Sequence, residues 1–353
     1  MPEPQKFSTE ELCDIGVEIV REGIAWLHKC YGVVRNKFLE HSTSDVTHKK
    51  RLAADIDLEM DYEVQLHTRR DSRFASIRFL GEEDLDPEHI VDLEAEENTC
   101  VLVDALDGSD LYERGIGNWC SAVIFFTPRH SAEKRIRAAI VGLWTGEIYV
   151  ADDDLSSEVM VITPNEFKYK QDEDNWNRII AELKPGERRK LRGRSDVKTL
   201  LDASICFYGQ KIEKLRKTVG HHGWDSSKFK TSEKHRLVPR VYNLAGIPMI
   251  LKLIDKPSKS GSGIDLVMEL EGQQPHDVVS GAFIAKRAGA TVVDLSNKEI
   301  TYEALGKALL KPNANDFQYI IASTPEVASE AVQNFSDERS FNTDNTDNID
   351  KKR

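Results

Sequence analysis

The stretch Val101-Leu102-Val103-Asp104-Ala105-Leu106-Asp107-Gly108-Ser109-Asp110-Leu111-Tyr112-Glu113-Arg114-Gly115 begins as a buried strand and ends as a short helix, with two carboxylates at the junction. Asp104 and Asp107 offer hard oxygens to a divalent cation. The backbone N–H groups of Gly108 and Ser109, at a helix start, lack intrahelical acceptors and favour an anion. A phosphate held between a cation and the helix start satisfies both demands, and a glycine at 108 leaves an oxyanion room to approach the backbone. The same residues also have a purely structural reading, because Asp-Gly is a turn dipeptide and Asp107 is a good N-cap.

Two other element ends carry carboxylates. Gly81-Glu82-Glu83-Asp84 follows an apolar run at 76–80, and Gln274-Pro275-His276-Asp277-Val278-Val279-Ser280-Gly281-Ala282 opens a helix with Asp277 in its first turn. Each alone is bland: an acidic loop, and a helix start where negative charge suits the dipole. The D-x-D spacing of haloacid dehalogenase-type phosphotransferases is excluded, since two residues separate Asp104 from Asp107.

The surrounding chain is that of a large globular protein. Its 353 residues are enough for one big domain or two packed halves. Lys and Arg number 48 against 60 Asp and Glu, a net charge of −12, which argues against a binder of duplex nucleic acid. Five widely spaced cysteines without a C-x-x-C pair or a preceding secretory signal imply a reducing cytoplasm. No apolar run reaches the length of a membrane span.

Helical spacing of Leu12, Ile15, Ile19, Trp26, Cys30, Val33 and Val34 predicts one long amphipathic helix over 10–39. A second helix over 55–67 places Asp57 and Asp61 on one face. Strands are expected at 76–80, 100–103, 119–126, 136–143 and 147–150, then at 203–208, 264–269, 291–294 and 318–323. Helices are expected at 243–254, 276–288 and 325–334. The polar stretch 152–201, with Lys184-Pro185-Gly186 and the basic run Arg188-Arg189-Lys190-Leu191-Arg192-Gly193-Arg194, reads as a seam between halves. The expected division is 1–200, 201–335 and a disordered tail at 336–353.

With GEED, DALDGS and HDVVSGAFIAKRAGATVVD in that order, the chain resembles the inositol monophosphatase and fructose-1,6-bisphosphatase superfamily of magnesium-dependent, often lithium-sensitive phosphatases. The likeness runs from about Glu10 to Thr324. It implies an α/β (α+β) fold, a layered αβαβα sandwich of the sugar-phosphatase type. It implies that Glu82, Asp104, the Leu106 carbonyl, Asp107 and Asp277 hold Mg2+, with Mn2+ as a substitute. Ser109 would hold the attacking water, with Glu82 behind it and Asp61 supporting, while Gly108 and Ser109 would bind phosphate. Ala105, Asp110, His276 and Ser280 depart from the family pattern, and either Glu269 or Glu271 matches its substrate-facing glutamate.

The implied activity is hydrolysis of a small phosphate monoester by metal-activated water, in a cytoplasmic, lithium-sensitive enzyme that acts on a small phosphorylated metabolite, without membrane attachment, and forms a homodimer. Fructose-1,6-bisphosphatase or 3'(2'),5'-bisphosphate nucleotidase activity is the alternative, and a catalytically weak binding or regulatory homologue is the reading from another class. His221, His222, Asp225 and His235 read as a polar loop rather than a metal site. Ser260-Gly261-Ser262-Gly263 lacks the lysine of a P-loop. The run 188–194 reads as a solvated face that could attract a second phosphate.

Overall fold

An apolar stripe at helical spacing explains the first element. In the computed structural model, α1 (Thr9–His41) buries Leu12, Ile15, Ile19, Val20, Ile24 and Leu27. A capping box starts it: the Glu11 N–H donates to Ser8 Oγ at 3.2 Å and the Ser8 N–H donates to Glu11 Oε2 at 2.7 Å. The structure describes residues 7–41, 77–81, 92–131, 134–154, 158–171, 179–191, 196–200, 202–208, 240–242, 244, 246–255 and 263–335. The expected helix at 55–67, with Asp57 and Asp61, lies outside them, as do Glu82, His221, His222, Asp225, His235, Ser260 to Ser262 and the tail at 336–353.

Seven strands follow one another across the first sheet: β1 (Ile77–Gly81), β2 (Thr99–Asp107), β3 (Cys120–Phe126), β4 (Ile136–Leu143), β5 (Ile148–Asp152), β6 (Met160–Gln171) and β7 (Ile179–Lys190). Only β1 and β2 run parallel; the other pairs are antiparallel. The helix α2 (Ser109–Glu113) lies between β2 and β3. Both faces of this sheet are covered, so β3 and β4 read as continuous apolar runs rather than alternating ones. Val101, Val103, Val123, Phe125 and Ile140 pack with α1, while Cys100, Leu102, Ala122, Ile124 and Val141 face the other way.

The second sheet has the order β11-β12-β10-β8-β9, built from β8 (Ser204–Phe207), β9 (Arg240–Tyr242), β10 (Leu266–Gln273), β11 (Thr291–Val293) and β12 (Phe317–Ala322). Between the sheets lie α3 (Ile247–Ile254) and α4 (Val279–Arg287), whose Ile247, Ile250, Leu251, Val279, Ala282 and Phe283 share one core with both. On the far side, Val327, Ala328, Ala331 and Phe335 of α6 (Pro325–Phe335) cover Ile205, Phe207, Leu266, Met268 and Ile320. The layers are therefore α, β, α, β, α, as the sequence resemblance implies. No helix among the described residues is long and apolar enough to cross a membrane.

Several elements differ from expectation, among them the short strand β9. The stretch at 152–201, expected as a polar connection, is largely strand: β6 and β7 form a hairpin of 12-residue strands that extends the first sheet. Pro164 faces Pro185 at a register shift, where a residue without an N–H is tolerated. The helix expected at 276–288 divides into a 3-10 turn, Pro275–Asp277, and α4. An unforeseen helix, α5 (Tyr302–Ala308), starts at Thr301, whose Oγ1 accepts the Ala304 N–H at 3.2 Å.

Candidate active site

Residues 104 and 107 are an odd number apart, so on a regular strand their side chains would lie on opposite faces. The pairing of β2 with β3 breaks regularity here: Asp104 pairs with Ala122 and Asp107 with Cys120, three steps against two. This bulge turns Ala105 and Leu106 together into the α1-side core and returns Asp104 and Asp107 to the inner face. Asp104 is 3% exposed there.

Immediately beyond, Gly108 begins α2 with φ 88° and supplies no side-chain cap. A Cβ on Gly108 would lie 2.9 Å from the Asn118 carbonyl oxygen. Backbone conformation and the chain beside it thus require a glycine here. Asp107 does not cap α2. Its Oδ2 accepts the Ile247 N–H at 2.8 Å, at the start of α3 and 140 positions away, and receives the Cys120 thiol at 3.6 Å. Asp110 is turned to Arg114 at 2.9 Å, one helical turn on.

A buried aromatic group supports the loop. Tyr112 donates its hydroxyl to the Leu27 carbonyl at 2.5 Å, and Trp119 lies edge-on to Tyr112 with centroids 5.3 Å apart. Next to Trp119 is His28, at 4.9 Å between centroids. His28 Nε2 is 2.9 Å from the Trp144 carbonyl oxygen and so carries the proton. Burial lowers its pKa to about 4, against the opposing effect of that hydrogen bond.

From the second sheet, the turn Pro275–Asp277 packs against β2. His276 is held by Nδ1, 3.0 Å from the Pro312 carbonyl oxygen, with Nε2 3.0 Å from Asp277 Oδ1. Glu269 is 2% exposed, and its Oε1 accepts the N–H groups of Glu271 at 2.7 Å and Gly272 at 3.2 Å. Glu271 is exposed. The Tyr319 hydroxyl donates to Gln273 Oε1 at 3.0 Å.

The electrostatics show which groups these acids act on. Burial pushes the Cys120 thiol far up, and the Asp107 and Asp104 carboxylates push it further. Burial likewise raises the Tyr319 hydroxyl, followed by the fields of Glu269, Asp107, Cys206 and Asp277. The charges of Asp104 and Asp107 thus act on Cys120, and those of Glu269, Asp107 and Asp277 on Tyr319, where the turn Pro275–Asp277 meets β2. Cys120, Asn118, Gln273 and Tyr319 belong to the same region. No motif marks them, because only the pairing of distant strands brings them in.

Such an all-oxygen, negative donor set suits a hard divalent cation in kind. Among the described residues no three His, Cys, Asp or Glu side chains are grouped to hold a metal ion. Asp107 is engaged by Ile247, and the expected ligand Glu82 is outside the described residues. Arg189, expected on a solvated face, instead pairs with Asp255.

No protein-family model matches the chain, and no curated protein matches it in sequence. Solved structures do. SuhB of Mycobacterium tuberculosis aligns with a TM-score of 0.56 at 16% identity over 93% of this chain and 96% of its own. The extragenic suppressor protein SuhB of Bartonella henselae gives 0.54 at 14% identity, covering 91% and 98%. An IMPase of Thermotoga maritima gives 0.52 at 15%, covering 90% and 93%. The chain has the fold of these proteins.

Proposed function

We propose that the protein is a divalent-metal-dependent phosphatase that hydrolyses a small phosphate monoester, similar in chemistry to inositol monophosphatases. The bulge that sets Asp104 and Asp107 on one face, opposite Asp277 from the second sheet, carries this reading. Glu82, Asp104, the Leu106 carbonyl, Asp107 and Asp277 would hold Mg2+, or Mn2+ in its place. When bound, the metal supplies a water of lowered pKa and charge stabilisation at the phosphoryl group. In this reading the Ser109 hydroxyl orients the water, Glu82 accepts its proton and Asp61 supports Glu82. The N–H groups of Gly108 and Ser109 receive a phosphate oxygen.

Of the two candidate glutamates, burial favours Glu269, which is 2% exposed, over the exposed Glu271. Fructose 1,6-bisphosphate and 3'-phosphoadenosine 5'-phosphate remain the alternative substrates. The enzyme would be cytoplasmic, homodimeric and inhibited by lithium. Release of inorganic phosphate from a panel of phosphate monoesters, with magnesium or with excess chelator, tests the reading. Activity that survives the chelator sinks it, and a fold that binds magnesium without turnover of any substrate favours the weak binding homologue.

A further inference from the structure

Asp107 is held by a helix whose other end is tied down separately. The helix α3 has 8 residues, a rod of about 12 Å at the usual rise. Its Ile247, Pro248, Ile250, Leu251, Leu253 and Ile254 are buried between the sheets, which leaves it little freedom to tilt. At the first end the Ile247 N–H meets Asp107 Oδ2 at 2.8 Å. At the other end Asp255 accepts the Tyr149 hydroxyl at 2.7 Å and pairs with Arg189 from β7. Lys252, one turn earlier, reaches Glu147 at 3.2 Å, and Glu147 lies 4.0 Å from Arg189.

Burial opposes ionisation of Asp255, but Arg189 and Tyr149 outweigh it and hold its pKa below the usual value. Its partners answer in kind. Burial, then Asp255, raises the Tyr149 hydroxyl, and the Asp255 hydrogen bond is the main cause of the raised Arg189. Asp255 is the more enclosed partner, with its side chain 12% exposed against 40% for Arg189, and its two hydrogen bonds restrict where the end of α3 can lie.

We propose that Asp255 is a positioning residue for Asp107: with Tyr149 and Arg189 it fixes the axial register of α3, and the start of α3 in turn fixes the Asp107 carboxylate. The hairpin β6–β7, outwardly remote from the site, thereby sets the orientation of one of its acids through a buried strut. The positioning stands on the hydrogen bonds alone. Its consequence for metal binding rests on the reading given under Proposed function.

Amide hydrogen exchange at Ile247 and Mn2+ binding followed by electron paramagnetic resonance test it in the full chain. Asp255→Ala should speed exchange at Ile247 at least about tenfold relative to wild type and weaken Mn2+ binding by about tenfold, the scale of losing an outer support of a metal ligand. Asp255→Asn, which keeps an acceptor for Tyr149, should recover part of both. Tyr149→Phe removes only the hydroxyl and gives the same direction should Asp255→Ala not fold.

As a control for general loss of stability, Thr324→Ala removes the hydroxyl that accepts the Val327 N–H and donates to the Val197 carbonyl. It should lower the melting temperature and leave both readouts in place. Unchanged exchange at Ile247 in Asp255→Ala and Tyr149→Phe, or equal acceleration in Thr324→Ala, overturns the proposal. So does faster exchange at Ile247 with unaltered Mn2+ affinity. Wild-type protein that binds no Mn2+ overturns the metal-site reading instead, and exchange at Ile247 then decides the strut.

Discussion

The ends of β2 and β10 use one device for different purposes. Each has a glycine at positive φ, Gly108 at 88° just after β2 and Gly272 at 111° within the irregularity before Gln273 of β10, and in each the space of a Cβ is taken by an asparagine carbonyl, 2.9 Å away at Asn118 and 3.0 Å at Asn315. At β2 the carboxylates stand beside the turn and point to the inner face, because a bulge aligns Asp104 with Asp107. At β10 the carboxylate of Glu269 closes the turn itself, accepting two N–H groups of its own loop. The acid at β10 is thus fixed by its own backbone, whereas Asp107 at β2 is held by the start of a helix 140 positions away.

The comparison is broken most directly by charge. Asp104→Asn keeps size and removes an anionic oxygen from that face. Phosphate release should then fall on the order of 10²–10³-fold, as when preorganised charge stabilisation is lost. The melting temperature of metal-free protein should stay level or rise, since fewer like charges meet. Wild-type turnover in Asp104→Asn would make the β2 acids structural parts of the fold.

A smaller effect lies beneath the β2 turn. His28 is neutral when folded, with a pKa of about 4 against 6.5 unfolded. The unfolded chain therefore binds the extra proton between those values. The contribution of His28 to stability is complete above about pH 6.5 and is lost as the pH falls towards 4, a change of about 3 kcal/mol. Urea denaturation across this range should show the loss in wild type and a flatter profile in His28→Phe, which keeps an aromatic ring beside Trp119. Parallel profiles would remove His28 from the account.

The smallest expected difference sharpens the comparison most. Gly108→Ala and Gly272→Ala should each cost about 2 kcal/mol, the scale of a residue forced into left-handed backbone. Equal losses of stability are expected from urea midpoints, but only Gly108→Ala should also depress turnover, because its loop carries Asp107 and Ser109. Equal losses of turnover would mean that the β10 turn shapes the site as directly as the β2 turn does.

What could be read from the chain follows from which forces write a pattern into it. Apolar runs announce β3 and β4 because both faces of each are buried, and the i, i+3, i+4 stripe of Leu12, Ile15 and Ile19 announces α1. The ribbon of β6 and β7 pairs strand with strand along a sequence rich in charged residues, which carries no alternating apolar signal. The carboxylates of the site could be named from motifs, yet the bulge that aligns them could not, since it exists only in the register between β2 and β3. Asp107 looked like the cap of the helix next to it. Its hydrogen bond to Ile247, and the pairing of Arg189 with Asp255, join residues that only the folded chain brings together.

The middle helical layer also imposes an order on synthesis. Leu102 and Val141 of the first sheet are covered by α3 and α4, which come after β7 in the chain. A ribosome that has finished Lys190 has still to add everything up to Arg287 before that apolar face is lidded, roughly 5–20 s at ordinary elongation rates. For that interval the nascent first sheet is open on one side. It is the stage at which this protein would depend most on a chaperone.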